Sequence, residues 1–342
     1  IFCTLLIISV GFFTRNLKRI KRNIGLGRDL DRNDYPRLRL KNMLLLAFGQ
    51  KKMLNRPVVG ILHLIVYVGF VLINIELLEI LLDGIIGTHR LFAPYLGPLY
   101  NFLIATFEIF ALLVLVAVIF FWTRRNVSKI KRFWKSEMKG WPKQDADNIL
   151  YFEVILMVLF LSMNATDSLL QNFGAESYIK AGSFPVSQFL IPLFEGYKME
   201  TLIILERCFW WLHIIGIFAF LNYLYYSKHL HILLAFPNTY FANLETKGKS
   251  RVNPHIKSEV QLMLNPQASM PAESSSFPDK FGATDVFDLS WVQLMNSYSC
   301  TECGRCSSEC PANITGKKLS PRAIMMKTRD RLEEVGKNIN KN

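Results

Sequence analysis

Four cysteines fall within eleven residues, Cys300, Cys303, Cys306 and Cys310, in the stretch "SCTECGRCSSECPAN", and Pro311 follows the last of them. Thiolates are soft ligands, and two-residue gaps let three successive cysteines meet three irons of one iron–sulfur cube. The fourth, one residue further on and held by proline, turns away from that loop, as in two-cluster ferredoxins, where such a cysteine ligates the other cube. Structural zinc fits less well, because it takes C-x2-C pairs separated by a dozen or more residues. Disulfides do not suit a module in a reducing compartment. A chance cluster with this spacing and a trailing proline is less favoured than either.

No cysteine follows Cys310. Either one [4Fe-4S] cluster sits on all four residues, or a second motif lies beyond residue 342 and Cys310 serves that second cube. The second alternative is the expectation, because the chain starts at Ile1 inside an apolar run, Ile1 to Phe13, that is too short to span a bilayer.

The second set of residues able to do chemistry is histidine. His63, His213, His229 and His231 lie in or beside apolar segments, and His89 lies in a short connection, "DGIIGTHRLFAP". Facing helices hold haem b through paired imidazoles. The last apolar helix carries His213 near its middle and His229 and His231 at its cytoplasmic end, so His213 and His231 are five whole turns apart, on one stripe and about 27 Å from each other, a separation that lets two stacked haems share the helix. The same arithmetic turns His229 about 160° away from His213. His63, at the start of an earlier apolar segment, pairs with His231 at the same depth. Between Gly60 and Leu82 there is no histidine besides His63, which leaves His89, folding back past Gly84 and Gly87, as the candidate partner of His213. His229 and His255 read as interfacial or linker residues.

Charges accompany these histidines. Arg56, Arg90, Arg207 and Lys228 are candidates for pairing with haem propionates, although Arg56 and Lys228 fit snorkelling to lipid phosphate equally well. Glu76, Glu79, Glu108, Glu153, Asn164, Asp167 and Glu206 are polar residues in or near apolar surroundings. Some suit proton exchange with a quinone, and more than half suit hydrogen bonds between helices. Cys3 and Cys208 read as small buried apolar residues.

The elements that position these groups are membrane helices. Of 342 residues 51% are hydrophobic, and apolar segments at Val58 to Leu82, Leu99 to Trp122, Ile149 to about Leu170 and Leu202 to Tyr226 are each long enough to span. With the N-terminal run they make five crossings. The net charge of +13 raises the possibility of nucleic-acid binding, but the position of the charge excludes it. Thirteen Lys and Arg against three acids fill the connection from Thr14 to Pro57, and eight fill that from Thr123 to Asn148, whereas the two other connections carry only Arg90, and Lys180 with Lys198. This alternation follows the positive-inside bias and gives an N-out, C-in topology. The expected fold is an all-α membrane protein: a five-helix transmembrane bundle over residues 1–237, a polar linker over 238–284, and a small C-terminal ferredoxin-like iron–sulfur module over 285–342 on the cytoplasmic side.

His63, His213 and His231 in such a bundle resemble the dihaem cytochrome b gamma subunit of respiratory nitrate reductase. Together with "CTECGRCSSECPAN" and "GKKLSPR", the chain resembles the membrane subunits related to heterodisulfide reductase, including electron-transfer flavoprotein:menaquinone oxidoreductases. "GQKKMLNRPVVGILH", "GTHRLFAP" and "YSKHLHILLAFPNTYF" carry the same likeness. The resemblance implies haem b in the bundle, two cubes in the module and a menaquinone site near one haem. It also implies residence in the bacterial inner membrane and a partner with CCG motifs or an electron-transfer flavoprotein. Two departures stand out. Ile73 occupies the place of the second histidine that the nitrate reductase subunit has on this helix, and the second cysteine motif is missing.

The expected function is a quinone-linked oxidoreductase subunit of a respiratory chain, with electron flow allowed in either direction. A membrane transporter or sensor bearing a regulatory iron–sulfur module without haem is the alternative from another class, and a zinc-stabilised membrane scaffold is a third.

Overall fold

The computed structural model describes residues 1–246, 248–249, 254–265 and 282–339. Much of the linker expected over 238–284 therefore lies outside the described residues. The described chain is helical, with one isolated parallel bridge between Arg28 and Ser290.

In chain order the helices are α1 Phe2–Ile24, α2 Pro36–Met43, α3 Pro57–Ile86, α4 Ala93–Leu96, α5 Pro98–Asn126, α6 Trp141–Phe173, α7 Met199–Tyr223, α8 His231–Tyr240, α9 Pro254–Leu264, α10 Trp291–Tyr298, α11 Arg305–Ser308, α12 Pro311–Ile314 and α13 Pro321–Asn338. Among the described residues four helices are long and apolar enough to cross a membrane: α3, α5, α6, and α7 with the turn that follows it. Each extends beyond the apolar segment that announces it. Proline in the first turn, where its missing N–H costs nothing, starts α3, α5 and α6. Left-handed glycines, Gly87 and Gly174, close α3 and α6.

α6 is the central element. The consecutive residues Ser162 to Asp167 are all buried, so the helix is covered on every side there, and the small ones among them, Ser162, Ala165 and Thr166, let helices approach closely where lipid offers no hydrophobic drive. Phe160 and Leu161 pack with Phe107, Ala111 and Val114 of α5, and with Ile73 of α3, in one core. α1 lies against α7 and α3, where Phe2 meets Trp210, Trp211 and Phe218 and fills the space beside Gly84.

The helix carrying His213 does not continue to His231. α7 ends at Tyr223, a short turn follows, and Ser227 is extended with ψ 149. Its hydroxyl accepts the N–H of His229 at 3.0 Å, so a new start is capped there. The five-turn stripe expected between His213 and His231 is thus corrected by a break.

α10 and α13 share a core with α8 and the end of α1: Ile20, Leu230, Leu234, Leu294, Tyr298, Leu332 and Val335 pack together. The backbone of Arg28 joins this unit through Leu289 at 2.8 Å and Trp291 at 3.1 Å. Residue 237, the expected end of the bundle, falls inside α8, whose Asn238 bonds Asn296 and Ser299 of the module. The two basic connections meet the module too, Arg305 lying 3.6 Å from Met53 Sδ and Arg322 bonding Glu137 at 2.8 Å. Both lie at the module end of the bundle.

Candidate functional site

The module end of the bundle brings the cysteines and two of the histidines to one place. Glu302 and Gly304 both have left-handed backbones, φ 55 and 74, which wrap the loop tightly enough for short gaps between cysteines. The Glu302 N–H points at Cys300 Sγ from 3.4 Å. A cavity of about 810 Å3 opens over the loop, and Cys300, Cys303 and Cys306 line it whereas Cys310 does not. Cys310 instead precedes Pro311 at the start of α12. Among the described residues no three His, Cys, Asp or Glu side chains converge on a point that would hold a single ion. A cube sets its ligands further apart than one ion does, and three thiols around a shared cavity suit it.

His63 of α3 and His231 of α8 face one another, with ring centres 6.4 Å apart and planes inclined by 53°. An iron between two imidazoles, each bonded through nitrogen at about 2 Å, needs ring centres roughly 6 Å apart. His231 Nδ1 lies 3.1 Å from the carbonyl of Lys228, the kind of bond that orients a ligating histidine and frees its other nitrogen. His63 Nδ1 is buried without a hydrogen-bond partner. The pair fits a haem iron on separation and donor chemistry.

His229 is the residue the helical arithmetic misplaces. Its ring stands 5.5 Å from that of His231 and 5.3 Å from Phe220. It therefore borders the pair instead of facing away. The Ser227 hydroxyl ahead of "KHLH" is the sequence signal that marks this turn. Burial pushes His231 below the ordinary histidine value, and pushes His229 down to about 3 with His231 and His63 adding to the effect. All of this keeps the imidazoles neutral, the form that binds metal.

The far end is different. His213 Nδ1 lies 3.1 Å from the carbonyl of Leu156, and the ring sits 6.0 Å from Phe160. His89 packs edge-on against Tyr178 at 4.7 Å, with its Nε2 3.6 Å from Asp167. The described residues show no ring contact between His213 and His89. Between α3, α6 and the 83–92 connection lies a buried ionic network. Arg90 donates to Asp167 at 2.6 Å, to Tyr100 at 3.0 Å and to Asn164 at 3.1 Å. Tyr100 in turn donates to Glu79, Asn164 to Glu108, and Tyr178 to Glu206. Burial opposes the charge on Arg90, but Asp167, Tyr100 and Glu76 together outweigh it and lift the guanidinium well above its usual value. Glu76 lines a small cavity of about 30 Å3 in this region, and one of its oxygens is buried without a partner.

The basic residues expected at propionates have other partners. Arg90 is held by Asp167, Arg207 bonds Glu206, Lys228 bonds Glu302, and Arg56 reaches Glu309 only at 3.9 Å. Cys3 and Cys208 are exposed, not buried.

The chain is 28% identical over 302 residues to a protein of Bacillus subtilis (strain 168) named "Probable iron-sulfur-binding oxidoreductase FadF". It is 24% identical over 304 residues to the "EtfAB:quinone oxidoreductase" of Syntrophomonas wolfei. Each match covers 87% of this chain and 38% of the relative, so the chain spans well under half the length of either. No family model matches, and no solved structure does.

Proposed function

We propose that the chain is the membrane part of an iron–sulfur oxidoreductase, exchanging electrons between a partner on the inner side and menaquinone in the bilayer. The observation that carries this reading is the juxtaposition at the module end, where the His63–His231 pair, with ring centres 6.4 Å apart, lies beneath a loop of cysteines. The names of the two relatives support the redox class, and one of them supports the quinone and an electron-transfer flavoprotein as partner. A CCG-domain protein is the other candidate partner. The module and both basic connections face the cytoplasm of a bacterial inner membrane, and α1 is a fifth crossing.

A [4Fe-4S] cube and a b-type haem supply one-electron chemistry when bound. Cys300, Cys303 and Cys306 would hold the cube as thiolates, and Cys310, outside the cavity that the other three line, would serve a second cube. His63 and His231 would hold the haem, His231 through Nε2 because its Nδ1 is tied to Lys228. His213 keeps the orientation of a ligand, and His89 lies too deep in the ionic network to face it. One haem is therefore the assignment, with Ile73 packed in the core where the dihaem pattern needs a second imidazole.

A reduced-minus-oxidised visible spectrum of the purified chain tests the reading. Sharp b-type bands in wild type and their loss in His231→Ala are expected. Broad iron–sulfur absorbance alone would turn the assignment to a sensor or transporter, and a colourless protein would remove it.

A further inference from the structure

Glu302 sits where a glutamate is least expected. Its φ of 55 belongs to the region that glycine and asparagine adopt most readily, its residue exposure is 3%, and burying a carboxylate is costly unless it is paired. Both penalties at one residue point to a role for its side chain. One oxygen of that carboxylate accepts from Arg329 of α13 at 2.8 Å, and the other from Lys228 Nζ.

Lys228 is the counterpart on the bundle side. Its ammonium also donates to the Pro142 carbonyl at 2.6 Å, and its backbone N–H donates to Asp145 of α6 at 3.0 Å. Its own carbonyl lies 3.1 Å from His231 Nδ1. A single residue thus touches the cysteine loop with its side chain and the histidine with its backbone. Burial lowers the proton affinity of Lys228, and Glu302 opposes that effect.

We infer that Lys228 and Glu302 are positioning residues, a buried ionic clamp that fixes the cysteine loop against the turn carrying His231 and so sets the geometry between the two metal-binding motifs. The clamp itself is a property of this chain's residues; its bearing on electron exchange rests on the function proposed above. Breaking either half should loosen both motifs, because neither Arg329 nor Asp145 alone joins the loop to the turn, while Leu230 stays packed in the core shared with α10 and α13.

The test uses the 342-residue chain in lipid nanodiscs, as wild type, Lys228→Met, Glu302→Gln and the double variant. Backbone hydrogen exchange is followed over residues 227–231 and 300–306, with haem and iron counted in the same samples and the low-spin haem signal recorded by electron paramagnetic resonance. Each single variant should speed exchange at least tenfold in both segments, and the double should add nothing beyond the larger single. Glu302→Gln should shift the haem signal at unchanged haem content, which a purely local role in the cysteine loop would not do. Loosening confined to the mutated segment, or a Glu302→Gln signal identical to wild type in haem-loaded protein, overturns the inference. Wild type lacking haem would sink the proposed function while leaving the exchange comparison to decide the clamp. Should Lys228→Met fail to fold, Glu302→Gln, which keeps the shape of the side chain, carries the test alone.

Discussion

Arg90 shows what one side chain holds at the far end of the bundle. Its guanidinium makes three directed contacts from a buried position, to Asp167, Tyr100 and Asn164, a fork that an ammonium cannot reproduce. Arg90→Ala leaves Asp167 charged and buried without its partner and should cost about 3–5 kcal/mol, read as a lowered unfolding midpoint in detergent. Arg90→Lys should recover less than half of the loss. The residues of the candidate site were legible in unequal degrees. The ring centres of His63 and His231 lie 6.4 Å apart, a nearness that counting along the apolar segments anticipates; that they hold a haem is the proposal made above. The partners of Arg90 and Lys228 could not be counted, because which carboxylate folds back to meet a given cation depends on the packing of three helices and on a distant loop, whereas the partner of Arg207 is its own neighbour Glu206.

Helix ends decided more than helix interiors. The four long spans follow from apolar length alone; the boundaries of α3, α5 and α6 moved outward, into polar residues that extend a helix without burying it, whereas α7 starts earlier and stops at Tyr223. The break before Ser227, where that residue's hydroxyl caps the new start, reversed the place of His229. Ser227→Ala removes that cap and should cost about 1 kcal/mol; it should also weaken haem retention, measured as the haem remaining after gel filtration. The connection before α6 is held to α13 by Glu137, which accepts from Arg322 and from Ser320. Burial works against the charge of Glu137, but the Arg322 guanidinium and the Ser320 hydroxyl outweigh it and lower its proton affinity. The contact is therefore at full strength above the ordinary carboxylate value of about 4.3 and is lost as the pH falls through the lower folded value. Hydrogen exchange in α13 should rise on acidification through that window, and Glu137→Gln should show raised exchange with no such pH step.

At the scale of the whole molecule, charge marks the two connections that gather at the module. The thirteen basic residues between Thr14 and Pro57 read as one side of a membrane, and Met53 and Arg28 meet the module there. Protease added to the module side of sealed vesicles should cut within 14–56 and 127–140, while 174–198 should be cut only from the opposite side. The joint core of α1, α8, α10 and α13 was not legible, because each helix alone presents a modest apolar face and only their meeting point reveals a shared interior.

That shared interior sets an order of assembly. Because the fold breaks at Ser227, His231 rides on a helix whose inward residues, Leu230 and Leu234, are buried by the C-terminal helices. One imidazole of the facing pair is thus anchored in the membrane bundle and its opposite number against helices that come later in the chain. A chain stopped at residue 246 should insert its spans yet capture no porphyrin, so the membrane half waits for the C-terminal half before it can mature.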